Sequence, residues 1–90
     1  MEKSSVKFKN GKQFTVTKQD TEAFVELIKE NAEIQKVKHL ATGRVFDAIN
    51  AEDWPTVNGV KRQGSEFYEV AEISTPRMRP YSGVDLEILD

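Results

Sequence analysis

Between Val6 and Ala32 the hydrophobic period of the chain changes from two to about 3.6, and that change commits it to a mixed fold. Val6 and Phe8 alternate with Lys7 and Lys9. After Asn10-Gly11, Phe14 and Val16 alternate with Gln13, Thr15 and Thr17. Two period-2 runs around a glycine turn read as a β-hairpin. A two-residue Asn10-Gly11 loop sets the apolar residues of the two strands on opposite faces. A three-residue Lys9-Asn10-Gly11 loop pairs Val6 with Phe14 and Phe8 with Lys12. It gathers Val6, Phe8, Phe14 and Val16 on one face and gives Gly11 the left-handed place of a bulge. The second register is the one expected, with Lys7 and Thr15 on the outer face.

Phe24, Leu27 and Ile28 then recur at helical spacing, while Glu22, Glu26 and Glu30 form an acidic stripe opposite. An amphipathic helix over about residues 18–32 is expected. Thr17-Lys18-Gln19-Asp20 has the spacing of a capping box, Asp20-Thr21 offers a second start, and Asn31 is a stop signal.

Ile34–Ala41 and Val45–Ile49 flank Thr42-Gly43 as a second hairpin, and its register stays open. A three-residue loop groups Val37, His39, Val45 and Ile49 with Asp47. A two-residue loop groups His39 with Phe46 and pairs Lys38 with Asp47. Neither gives a clean apolar face. Asn50 begins a turn that Pro55 must end. Residues 66–73 read as a strand, with a short helix capped by Ser65 as the alternative. Residues 74–83, with Pro76, Pro80 and Gly83, form an irregular connector. Strict alternation from Val84 to Ile88 predicts a terminal strand over 84–89. The whole is a single α+β domain, 1–90: a small antiparallel sheet of hairpins packed on one main helix.

Composition narrows the chemistry. With no cysteine, disulfides, zinc ribbons and thiol nucleophiles are excluded, and a reducing cytoplasmic setting is expected. Apolar residues are 38 % of the chain, below the usual roughly 45–50 %, so the core is lean. The start, MEKSSVKFK, sets no apolar stretch behind its charges, and no secretory signal is expected. The glycines are scattered singly and form no phosphate-binding run. No cofactor or metal site is expected. The one histidine, His39, with Asp47 across the second hairpin, is the only pair resembling a hydrolase fragment. It lacks a nucleophile motif, so the chain reads as a non-enzyme.

Two binding surfaces remain. Arg77, Met78, Arg79 and Tyr81 lie between or beside prolines, and Trp54 precedes Pro55. Stiffened arginine and aromatic residues are the types that dominate protein interfaces. The leading expectation is a non-catalytic protein-binding module, a small regulator or inhibitor in the manner of phage or mobile-element accessory proteins. The alternative is nucleic-acid binding through Lys3, Lys7, Lys9 and Lys12, with Lys61 and Arg62. Against it, residues 1–45 hold nine Lys/Arg against six Asp/Glu, while residues 46–90 hold four against nine, for a net charge of −2. A dedicated duplex binder is usually far more basic. The lean core and the apolar terminal strand also predict a homodimer with residues 76–89 at its interface.

Overall fold

The computed structural model describes residues 2–76 and 78–89. Strands β1 (Lys3–Lys7) and β2 (Gln13–Thr17) pair with Val6 opposite Phe14 and Ser5 opposite Thr15. This is the register of the three-residue loop. Gly11 closes it at φ 89°, donating its N–H to Phe8 O at 3.0 Å. Helix α1 spans Thr21–Asn31. It starts later than residue 18 because Thr17 is still paired with Lys3 and Lys18 N–H donates to Glu2 O. Asp20 is therefore the cap, its Oδ1 accepting the Ala23 N–H at 3.1 Å. At the other end, the Asn31 side-chain amide donates to Leu27 O at 3.0 Å.

The second hairpin joins β3 (Gln35–His39) to β4 (Val45–Asn50) through the four-residue loop 40–43, closed by the His39–Arg44 pair, and this corrects both registers weighed from the sequence. Val37 lies opposite Phe46 and Gln35 opposite Ala48. His39 N–H donates to Arg44 O at 2.8 Å, and Gly43 N–H to His39 O at 2.7 Å. The extra loop residue aligns the small and aromatic apolar side chains on one face. Lys36, Lys38 and Asp47 take the other face.

Beyond β4 the chain leaves the sheet. A 3-10 turn over Ala51–Asp53 is capped by Asn50 Oδ1, which accepts the Glu52 N–H at 2.8 Å. Trp54 and Pro55 follow, both buried. They deliver β5 (Thr56–Val57) to the free edge of β1. Where one sheet is expected from the sequence, there are two antiparallel sheets. One has the order β2-β1-β5. The other has the order β6-β4-β3-β7, with β6 at Phe67–Glu69 and β7 at Leu86–Ile88. Residues 66–73 divide between the two alternatives: β6 runs into a 3-10 turn over Val70–Glu72. The terminal strand is shorter than 84–89, because Gly83–Asp85 form a 3-10 turn and Val84 is 83 % exposed.

Helix α1 sits over both sheets. Val25 and Ile28 pack into a core shared with Val6 and Phe8 from the first sheet and with Ile49 and Tyr68 from the second. Complete burial of a side chain such as Ile28 contributes about 1.5–3 kcal/mol. By strand alternation, Ala48, Phe46 and Phe67 face away from Ile49 and Tyr68. They form a second, smaller core with Val37 and Leu86. Tyr81 packs against it, so the chain's own connector covers part of that face. No helix among the described residues is long and apolar enough to cross a membrane.

Candidate binding surface

The connector pairs with the second sheet at Tyr81. Tyr81 and Phe67 exchange backbone hydrogen bonds, N–H of each to O of the other, at 2.8 and 2.9 Å. That pairing sets the Tyr81 ring against Phe46, with centroids 5.2 Å apart, and against His39 at 5.4 Å. The phenol oxygen accepts from two guanidinium groups, Arg44 Nη2 and Arg79 Nη2, each at 3.3 Å. Arg79 also lies over the ring at 5.7 Å.

Arg44 is held in turn by a carboxylate. Its Nη1 and Nη2 donate to Glu69 Oε2 and Oε1 at 3.0 and 2.6 Å, a bidentate fork. Glu69 is 8 % exposed, on the strand face it shares with Ala48. A carboxylate at that depth needs a strong partner, and Arg44 supplies it while lying 4.4 Å over the Phe46 ring. The Glu69 hydrogen bonds raise the Arg44 pKa above its already high ordinary value, against the smaller opposing effect of burial. The result is a fixed aromatic and guanidinium surface: Phe46 beneath, Tyr81 half-buried above it, and Arg44 and Arg79 exposed at its rim.

The residues singled out from the sequence separate. Tyr81 and Arg79 lie together on this surface. Met78 is partly buried against the main core. Arg77 lies outside the described residues. Trp54 is elsewhere and 7 % exposed, tilted against Phe24 at 5.8 Å and edge-to-face with Tyr68 at 5.6 Å, so it anchors the loop rather than presenting a contact. Arg62 is drawn onto the same rings, 4.7 Å from Trp54 and 4.9 Å from Tyr68, and it donates to the Tyr68 hydroxyl at 3.3 Å. Lys3, Lys7, Lys12 and Lys61 are exposed. Lys9 lies 3.5 Å from Asp53. Lys3 and Lys7 share their strand face with Ser5, Gln13 and Thr15 and with no aromatic ring, whereas Phe8 is buried and Phe14 half-buried inside. Stacking, the sequence-tolerant part of single-strand binding, is therefore missing from that face.

His39 and Asp47 are not brought together. His39 shares its face with Phe46, and Asp47 takes the opposite face, across from Lys36. His39 Nδ1 instead lies 3.0 Å from Thr42 Oγ1. A cleft of about 710 Å3 runs between α1 and β4, lined by Asp20, Glu22, Glu26, Asp47 and Glu69 with Lys29 as its one basic residue. Its charge repels a phosphate backbone. Among the described residues, no group of three or more acidic or histidine side chains could hold a metal ion.

Sequence reasoning missed Arg44, Phe46 and Glu69. The one available signal was Glu69 itself, a lone acid inside the apolar stretch Phe67-Tyr68-Glu69-Val70. Comparison with family models, with curated proteins and with solved structures finds no match for the chain.

Proposed function

We propose that this chain is a non-catalytic protein-binding module, a small regulator or inhibitor of a larger assembly, that acts as a homodimer and engages its partner through Tyr81, Arg79 and Arg44. The observation that carries the reading is the preorganisation of Tyr81. Its backbone is paired with Phe67, its ring is held by Phe46 and its hydroxyl by two arginines. An aromatic–arginine cluster that is ordered before binding loses little side-chain entropy on docking. Tyrosine and arginine are the residue types that carry most interface energy.

The test is capture from the native cell with the tagged full chain, with and without nuclease, followed by titration of the purified captured protein. The expected result is a nuclease-resistant protein partner whose affinity falls by at least tenfold for Arg79→Glu and for Tyr81→Ala. Melting of both variants is measured alongside, and Arg79, exposed at the rim, carries the decision if Tyr81→Ala unfolds. Capture of nucleic acid alone, or a partner indifferent to Arg79→Glu, overturns the reading.

A further inference from the structure

Among the described residues, strand β7 has one strand neighbour, β3. Its backbone groups divide by residue parity. Leu40 N–H donates to Asp85 O at 3.0 Å and Leu89 N–H to Lys36 O at 2.9 Å, so the odd-numbered residues of this segment turn their backbone groups to β3. The N–H and C=O of Leu86 and Ile88 therefore point outward from the sheet.

Apolar side chains collect at the same edge. Among the described residues, the exposed large hydrophobics are Leu40, Val45, Val60, Val84, Ile88 and Leu89. Val84, Ile88 and Leu89 belong to the terminal segment, and Leu40 is bonded to it through Asp85. An open backbone edge beside exposed apolar groups is a template for strand addition.

We propose that β7 pairs antiparallel with β7 of a second copy about a twofold axis, with Ile88 opposite the partner's Ile88, merging two four-stranded sheets into one. This rests on the dimer reading above and supplies its geometry. Charge selects the register. Three registers centre on the strand and set outward-facing residues opposite outward-facing ones. An axis at Glu87 sets two carboxylates opposite each other. An axis at Leu86 sets Asp85 opposite the partner's Glu87. Both place like charges in direct cross-strand contact, which destabilises a sheet. An axis at Ile88 sets Glu87 opposite the partner's Leu89 and brings the two exposed isoleucines together. Each Glu87 keeps Lys38 of its own chain beside it. A twofold axis normal to the sheet leaves both Tyr81 surfaces on one side, so the dimer presents two equal sites to a partner.

The test uses the parity of the strand. Proline at position 88 removes an outward N–H and leaves the bonds to β3 intact, as proline does on an edge strand. Proline at position 87 removes an inward one. Light scattering after size exclusion, across a dilution series, is expected to give the full chain a mass near twice 10.2 kDa. Ile88→Pro is expected to be a monomer with unchanged circular dichroism and melting, and Glu87→Pro to lose structure. If Ile88→Pro fails to fold, Ile88→Lys decides, since it sets two ammonium groups together on the axis. A wild-type monomer at every concentration overturns both the dimer and this geometry. A wild-type dimer that survives Ile88→Pro, or survives Ile88→Lys where the proline variant does not fold, overturns the geometry alone.

Discussion

Breaking the Arg44–Glu69 fork from its two ends should give unequal losses of stability. The Arg44 side chain is 47 % exposed and that of Glu69 11 %. Arg44→Ala takes both donors from a carboxylate that water hardly reaches. Orphaning one member of a fully buried pair costs about 3–5 kcal/mol. Here the pair is buried at one end only, so the expected loss is about 2–3 kcal/mol, including the guanidinium stacked on Phe46. Glu69→Gln keeps the shape and leaves Arg44 free to hydrate, for about 0.5–1.5 kcal/mol. In a domain of this size the first variant should melt roughly 10–20 °C lower and the second roughly 5 °C lower. Urea unfolding, followed by Trp54 fluorescence and by far-UV circular dichroism, gives the free energies directly. The double variant, with its carboxylate removed, should be more stable than Arg44→Ala alone. Raising a basic pKa stabilises the fold below the ordinary value of the group, and the gain is lost only as pH rises through the folded value. For Arg44 both values lie far above neutrality, so its contribution should stay constant from neutral to mildly alkaline pH. Glu69→Gln costing as much as Arg44→Ala, or no recovery in the double variant, would falsify the argument from burial.

Four further outcomes are expected. Asp20→Ala removes the acceptor for the Ala23 N–H and should lower stability by about 1 kcal/mol, read as a melting shift of roughly 5 °C. Gly11→Ala meets no atom within 4 Å but is forced to hold φ 89°, so a loss of about 1–2 kcal/mol in urea unfolding reports backbone strain alone. Trp54→Ala should cost about 3–5 kcal/mol, with the far-UV spectrum showing a partly unfolded population at room temperature. In filter binding at physiological salt, single- and double-stranded DNA should bind no tighter than about 10⁻⁶ M; tight binding that Lys7→Glu weakens would contradict the assignment of the outer face to solvent.

The first half of the fold was legible because its signals are local. Asn10-Gly11 and two alternating runs leave one register with a single apolar face, and the 3.6 period that follows admits one helix. Of the two helix starts the sequence offers, the structure takes Asp20-Thr21 over residue 18 for a non-local reason: Thr17 and Lys18 are claimed by the strand opposite them. The second hairpin failed differently. Leu40 and Val45 look like strand residues bound for a core, and both are about half exposed, at the mouth of the loop. Counting Leu40 as strand hides the four-residue loop, and without that loop Val37 never meets Phe46.

The open register also concealed the binding surface. The His39–Arg44 pair carries the ladder to Arg44, and strand alternation then sets Arg44 with Phe46 and Ala48 on the face that carries Glu69. From sequence the two proline-flanked aromatics looked alike, and the fold treats them oppositely. Trp54 precedes Pro55, which is fully buried, and its indole packs among Phe24, Tyr68 and Arg62. Tyr81 follows an exposed proline and is tied by its backbone to Phe67. Its ring lands on a face already occupied by a buried carboxylate. That carboxylate demands an arginine, the arginine needs room at the rim, and the tyrosine hydroxyl accepts what the arginine has left to donate. One unfavourable choice, an acid in an apolar strand, thus positions the surface with which the chain is proposed to bind.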